Sequence, residues 1–257
     1  MKSLQGKIVF VTGASSGIGR ATALAFAQAG ARLLVCARRL EKLEELKQTL
    51  IDAGAQTVRV FELDVQNRSA VEKALRELPA EWQEIDVLVN NAGLSRGLAK
   101  LHEDDPQNWE EMIDTNIKGL LYVTRTVVPG MVSRGRGHVI NLGSTAGYIT
   151  YANGAVYCAT KAAEKAISQG LKIDLMGTPV RVTSVDPGMV ETAFSSVRFR
   201  GDEKKAEKVY ENITPLQPED VADAIVWAAS RPAHVNIHNI LMTSIDQANS
   251  TVLHRHG

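Results

Sequence analysis

Tyr157 and Lys161 stand four residues apart, and Ser144 precedes the tyrosine by thirteen. In a helix the four-residue spacing puts phenol and ammonium on one face. Reducing a carbonyl needs a hydride donor plus a proton for the nascent alkoxide, and a phenol supplies that proton only where its pKa falls from about 10 toward neutral. A nearby ammonium and a nicotinamide cation push it that way. Ser144 would hydrogen-bond the carbonyl oxygen and fix it near both hydride and phenol. In the oxidative direction a Tyr157 phenolate would take the alcohol proton. Alone, Tyr-x-x-x-Lys reads as an ordinary surface pair on a helix, so its weight comes from what accompanies it.

A cofactor end accompanies it. The first apolar run leads into Thr12-Gly13-Ala14-Ser15-Ser16-Gly17-Ile18-Gly19. Glycines there allow close backbone approach, and the following helix N-terminus offers unpaired N–H groups and positive potential to a pyrophosphate. The spacing is G-x-x-x-G-x-G rather than the general G-x-G-x-x-G fingerprint. After the second strand, where an acid would hold the ribose 2′-hydroxyl of NAD, Arg38 and Arg39 stand instead. Two guanidiniums suit a 2′-phosphate, so NADP(H) is expected over NAD(H). Asp64-Val65 could bound the adenine, with Asp64 equally able to serve as an N-cap. Asn91-Ala92-Gly93, after Asn90, would bring a small-residue turn against the cofactor ribose.

The elements that must position these residues alternate along the chain. Residues 8–11, 33–36, 58–61, 87–89 and 139–142 read as buried strands. Helical periodicity predicts helices near 18–29, 40–53, 67–79, 108–134 and 154–176, then a strand at 180–186, a helix near 218–230 and a strand near 237–242. Right-handed crossovers turn that order into an α/β fold, a doubly wound parallel seven-stranded sheet with helices on both faces. No linker divides the chain, so residues 1–257 read as one domain. The least regular segment, 190–215, reads as a substrate lid.

Composition bounds the partners. Of 257 residues 44% are hydrophobic and 23% charged, which fits an ordinary globular unit. Lys+Arg and Asp+Glu both total 29, giving no electrostatic reason to expect nucleic acid or an anionic membrane. A small molecule is the expected partner. Two cysteines signal neither a disulfide framework nor a zinc site, and a reducing, cytoplasmic location is expected. The apolar run Ile8 to Val11 is too short for a signal-peptide core. The longest stretch free of Asp, Glu, Lys and Arg, Gly137 to Thr160, is too rich in Asn, Ser, Thr and Gly to span a membrane.

In order, Thr12-Gly13-(x)3-Gly17-Ile18-Gly19, Asn90-Asn91-Ala92-Gly93, Asn116, Ser144, Tyr157-(x)3-Lys161 and Pro187-Gly188 resemble the short-chain dehydrogenase/reductase family over nearly the whole chain. The resemblance implies a single-domain Rossmann fold and a catalytic tetrad of Asn116, Ser144, Tyr157 and Lys161. It gives Lys161 a second role on the nicotinamide ribose and Asn116 a share in a water-linked proton relay. It assigns the segment from Pro187 and Gly188 through Val190 to Thr192 to covering the nicotinamide carboxamide, and it implies a homotetramer. Leu78–Trp82, Met112–Asn116, Val197–Asp202 and Pro232–Ile237 are similar to the NADP-dependent 3-hydroxy acid dehydrogenases, with sulfoacetaldehyde reductases sharing much of the pattern. Both groups handle small anions, and Arg198 in the lid would grip the carboxylate or sulfonate, or else pair with Glu203 or stand solvated. Two stretches depart from that subgroup: Tyr148–Tyr151, with Tyr151 a candidate substrate contact, and Leu241–Ser244. The alternatives are a general carbonyl or 3-oxoacyl reductase and, outside catalysis, an NADP(H)-binding sensor.

Other residues receive quieter readings. No His or Cys spacing supports a metal site, and His254 and His256 are expected to be disordered or packed on another subunit. Cys158 reads as a small buried filler rather than a nucleophile. Glu41 to Lys47 reads as a solvated helix face, and Trp82 and Trp109 as packing residues.

Overall fold

A computed structural model describes residues 4–257, so residues 1–3 of the expected domain lie outside the described residues. The first strand, β1 (Ile8–Thr12), is buried at every position, as a strand covered on both faces must be. Side chains alternate: Val9 and Val11 face one core with Phe26, Leu43 and Ile225, while Ile8 and Phe10 face the other with Leu88, Met131 and Trp82. The remaining strands are β2 (Arg32–Ala37), β3 (Thr57–Glu62), β4 (Val87–Asn90), β5 (Gly137–Leu142), β6 (Val180–Pro187) and β7 (Asn239–Met242). All pair in parallel, in the order β3-β2-β1-β4-β5-β6-β7. The chain therefore reverses its direction of winding between β1 and β4, and a crevice opens there beyond the strands' carboxyl ends. Sheet type, strand count and two-sided covering agree with the sequence.

Helices α1 (Gly17–Gln28), α2 (Leu40–Asp52) and α3 (Arg68–Arg76) follow the first three strands. α3 ends earlier than its periodicity suggested, before Leu78-Pro79, since a residue preceding proline is pushed out of helical geometry. The expected single helix over 108–134 is three pieces: α4 (Pro106–Ile113), a π-helical turn (Asp114–Gly119) and α5 (Leu120–Arg134). α4 starts where Asp105 accepts the Gln107 N–H and Pro106 fills the first position. The wide turn carries Asn116, in keeping with the tendency of π-turns to sit at functional sites. Beyond β5, α6 (Ala155–Asp174) carries Tyr157 and Lys161. The irregular segment after β6 contains two short helices, α7 (Phe194–Arg198) and α8 (Glu203–Val209), before α9 (Pro218–Ala229). α9 opens with a capping box, Gln217 and Asp220 each accepting the other's backbone N–H.

The quieter residues fall as follows. Trp82 is buried under the Arg32 guanidinium, and Trp109 donates Nε1–H to Asp104 at 2.8 Å. Glu41, Lys42, Glu44 and Glu45 are exposed on α2. The C-terminal histidines make contacts with their own chain. His256 pairs with the buried Asp246 at 2.9 Å, its N–H reaches the Asn212 carbonyl at 2.7 Å, and the His254 ring packs edge-on against it. A buried carboxylate on a short tail supplies the anchor that composition could not reveal. Among the described residues no helix is long and apolar enough to cross a membrane.

Candidate active site

The crevice at the β1/β4 reversal is built by a few polar bonds. Thr12 Oγ1 accepts the N–H groups of Asn91 (3.1 Å) and Ala92 (3.0 Å), and Asn91 Nδ2 donates to the carbonyl oxygens of Thr12 (2.8 Å) and Gly13 (3.2 Å). The two loops are thereby locked side by side. Gly13 sits at φ +66°, and a Cβ there would lie 2.9 Å from both Ala92 Cα and Asn91 Nδ2. At Gly19 a Cβ would stand 2.3 Å from Asn91 Nδ2, so this glycine lets α1 approach the strand ends.

Two adjoining clefts, about 990 and 690 Å³, run along this surface. Every expected cofactor-side residue lines one or the other except Gly19, which acts through packing. The larger holds Gly17 and Ile18 at one end and Pro187, Gly188, Val190 and Thr192 at the other, with Tyr157 and Lys161 on its floor. Ser15, Arg38, Asp64 and Val65 line the smaller. Arg39 donates to the hydroxyls of Ser15 (3.1 Å) and Ser16 (3.3 Å), giving a cation and two hydroxyls at the α1 entrance where a 2′-phosphate would fit. Asp64 does not cap α3: it accepts the Gln66 N–H at 3.0 Å, while Asn67 caps the helix by accepting the Ala70 N–H at 3.0 Å. These glycine cradles and the Arg39 group fit an NADP(H)-type dinucleotide.

At the other end, the phenol of Tyr157 belongs to a small cluster with Leu94, Met112, Ala146 and Cys158, against which Tyr151 and Phe194 pack. Ser144 Oγ accepts the Ala146 N–H at 3.1 Å, so its own hydrogen is available to a substrate oxygen. Asn116 is fully engaged: its amide exchanges bonds with the N–H and C=O of Leu94, each 2.8 Å, and donates to Thr160 Oγ1 at 3.0 Å. Thr160 Oγ1 in turn donates to the Tyr157 carbonyl at 2.8 Å, so the side chain of Asn116 ties the β4 loop to α6. Lys161 Nζ donates to the Leu142 carbonyl at 2.8 Å and to Glu164 Oε2 at 2.7 Å. Burial works against the Lys161 charge, but Glu164 and Tyr157 outweigh it and raise its pKa; burial also pushes Glu164 up to about 7.

The segment expected to be a lid reaches the same place. Phe194 stacks at a tilt on Tyr157, ring centroids 5.7 Å apart. Arg198 donates Nε–H to Ser95 Oγ and Nη2–H to Tyr151 Oη, both at 3.0 Å, and lies over the Tyr157 and Phe194 rings. It does not pair with Glu203, which accepts from Ser196 instead. Tyr151 therefore stands at the site through Arg198, whereas Tyr148, at the start of the same loop, turns away and donates to Asp186 at 2.6 Å. At the second departure, the Met242 carbonyl takes the Gly188 N–H at 2.8 Å and so supports the cofactor side. Cys158 is buried, and burial pushes its thiol up, which disfavours the nucleophilic thiolate.

Sequence reasoning missed Ser95, Glu164 and Asp186. The signal for Glu164 was present: an acid three residues beyond Lys161 on the same helical face, turned inward.

Comparison with known proteins gives a consistent family. Residues 7–203 match the family model described as short chain dehydrogenase. The NADP-dependent 3-hydroxy acid dehydrogenase YdfG of Escherichia coli K12 is 51% identical over 242 residues, 94% of this chain and 96% of that protein. A protein of Schizosaccharomyces pombe named NADP-dependent 3-hydroxy acid dehydrogenase is 40% identical over 256 residues, 99% of each chain. Among solved structures, the closed form of serine dehydrogenase complexed with NADP+ superposes with a TM-score of 0.91 at 50% identity, covering 97% of this chain and all of that one.

Proposed function

The chain belongs to the short-chain dehydrogenase family, and from that premise we propose that it is an NADP(H)-dependent oxidoreductase interconverting a short 3-hydroxy acid and its carbonyl form. 3-Hydroxypropionate and the serine or allo-threonine class are the substrates intended. The observation that carries the substrate reading is Arg198, brought by the lid over the Tyr157 ring and oriented by two hydroxyls. A substrate carboxylate can replace those neutral hydroxyls with a stronger, charge-assisted partner while its hydroxyl carbon stays beside the phenol.

When bound, NADP(H) supplies or accepts the hydride. The protein supplies the rest. Ser144 donates its O–H to the substrate oxygen. Tyr157 gives that oxygen a proton in reduction and removes it in oxidation. Lys161 holds positive charge next to the phenol and would offer its remaining N–H to the ribose of a bound cofactor. Asn116 fixes the loop and helix that carry these groups, and the segment from Pro187 to Thr192 would cover the nicotinamide end of a bound cofactor. Phe194 and Val197 on α7 line the cleft.

Residues 190–215 serve as the lid of a single domain. Two free buried cysteines favour a reducing, cytoplasmic setting. Exposed Leu121 on α5 and Ile173 near the end of α6 are apolar surface that a homotetramer contact would cover. NADP+ reduction with 3-hydroxypropionate, compared with propan-1-ol, tests the substrate reading: turnover of the acid supports it, and preference for the alcohol rejects it.

A further inference from the structure

The stripe of α6 that carries Tyr157 and Lys161 continues to Glu164, seven residues beyond the phenol. Glu164 is all but sealed from solvent, with 3% of its side chain exposed against 8% for Lys161, and the two are 2.7 Å apart. A buried ion pair is a costly element, and an apolar residue in its place would usually serve stability as well. This pair also joins no two parts of the fold, since both partners lie within one helix. Its position is better explained by what it touches: the ammonium that stands between it and the Tyr157 phenol.

We propose that Glu164 is a positioning residue of the reaction, orienting the buried Lys161 ammonium and setting the charge against which Tyr157 gives and takes its proton. The inference rests on the roles given above to Tyr157 and Lys161. Lys161 has three N–H donors. Glu164 and the Leu142 carbonyl fix two of them, which aims the third.

The charge argument follows from the surroundings of Glu164. Lys161 faces it from its own helix with Tyr157 beyond, and Asp186 faces it from β6. Asp186 is itself served by neutral donors: Tyr148 at 2.6 Å, Ser184 at 2.5 Å and Asn239. Lys165 caps the Tyr148 ring, 3.7 Å from its centroid. Lys161 is thus the cation in contact with Glu164, while burial and Asp186 oppose ionisation, and the carboxyl titrates near 7. With Glu164 protonated, the pair carries a net positive charge, which favours a Tyr157 phenolate and hence alcohol oxidation. With Glu164 ionised, the pair is neutral and draws less on the phenol's proton, which favours the direction of reduction.

The test is the pH dependence of kcat/KM for NADP+-linked oxidation of 3-hydroxypropionate in wild type, Glu164→Gln and Glu164→Asp. In Glu164→Gln the acid limb moves to lower pH because the phenolate loses a nearby negative charge. The alkaline limb moves the same way because the buried ammonium loses its counter-ion. Each shift should be about half a pH unit or more. Glu164→Asp keeps the charge and should hold both limbs near their wild-type positions. Limbs unmoved in an active Glu164→Gln enzyme overturn the proposal. Should that variant not fold, a carbon-13 carboxyl titration of the wild type decides, with the resonance assigned by its loss in Glu164→Asp. A midpoint near neutrality that shifts on adding NADP+ supports the proposal; the ordinary glutamate value of about 4.3, indifferent to NADP+, overturns it. A wild type that turns over no hydroxy acid fails the functional reading instead, and the titration still decides the role of Glu164.

Discussion

The guanidinium carbon of Arg198 lies 5.4 Å from the centroid of the Tyr157 ring, although the two residues belong to different elements, the lid helix α7 and the buried face of α6. Under the proposed function the segment carrying α7 thus brings a cation to the phenol, which would make that segment part of the substrate site. Ser95 and Tyr151 hold the arginine there through neutral hydroxyls that an anion can displace.

Tyr157→Phe removes the proton donor and keeps the ring that packs on Phe194. Catalysis should fall by about 10²–10⁴-fold, while NADPH binding, followed by cofactor fluorescence, stays near wild type. Retained turnover would remove Tyr157 from the chemistry.

On the proposed reading, the cofactor preference rests on Arg38 and Arg39. Arg38→Asp places a negative charge at the 2′-phosphate, and Arg39→Ala removes the guanidinium that now reaches Ser15 and Ser16. Each should lower kcat/KM for NADP+ by tenfold or more, given about 1.5–3 kcal/mol for a charged hydrogen bond. Arg38→Asp should also raise the relative use of NAD+. Unchanged selectivity in both variants would place the phosphate elsewhere.

The lid is strapped to α4 by Glu111, whose carboxylate accepts from Arg96 at 2.5 Å and from Arg200 at 3.1 Å; Arg96 also holds the Val197 carbonyl. Burial would raise the Glu111 pKa, yet the two arginines hold it below the usual range. Glu111→Gln should loosen the lid and raise KM for the hydroxy acid several-fold, with KM for NADP+ much less affected. An unchanged substrate KM would show that the strap does not position Arg198.

His138 supplies a pH-dependent stability. Its Nε2 lies 2.8 Å from Thr183 Oγ1, which donates its own hydrogen to the Ile237 carbonyl, so Nε2 carries the proton and Nδ1 is left buried without a partner. Burial, helped by Arg181, holds its pKa well below 6.5. The unfolded chain binds that proton near 6.5 and the folded chain does not, so stability is present above this pH and declines as pH falls below it. Urea unfolding of the wild type should lose up to about 1.4 kcal/mol per pH unit from this group between pH 6 and 5. His138→Gln should lack that contribution. Equal slopes in the two proteins would contradict the assignment.

The parallel sheet and its covering helices were legible because strands buried on both faces leave continuous apolar runs, as in Ile8–Val11 and Val139–Leu142. Tyr157, Lys161 and the Gly13 to Gly19 turn were legible because local spacing sets their geometry. The π-turn around Asn116 was not, since its sequence keeps an ordinary helical period and only the bonds to Leu94 and Thr160 favour the wider turn. Arg198 illustrates the same limit: its partners Ser95 and Tyr151 lie 103 and 47 residues away. The register of this segment depends on such contacts, so whether Arg198 pairs with Glu203 stayed open until the fold placed them. His256 and Asp246 were missed because an exposed terminus gives no sign of the buried carboxylate that receives it.

The most direct test of the substrate assignment compares NADP+-linked kcat/KM for 3-hydroxypropionate and its neutral amide, in wild type and Arg198→Ala. The account predicts a strong preference for the acid in the wild type, reduced in the variant by about 1.5–3 kcal/mol, the scale of one charged hydrogen-bonded contact, with the amide nearly unaffected. Equal rates on acid and amide, or an acid preference that survives the loss of Arg198, would contradict it.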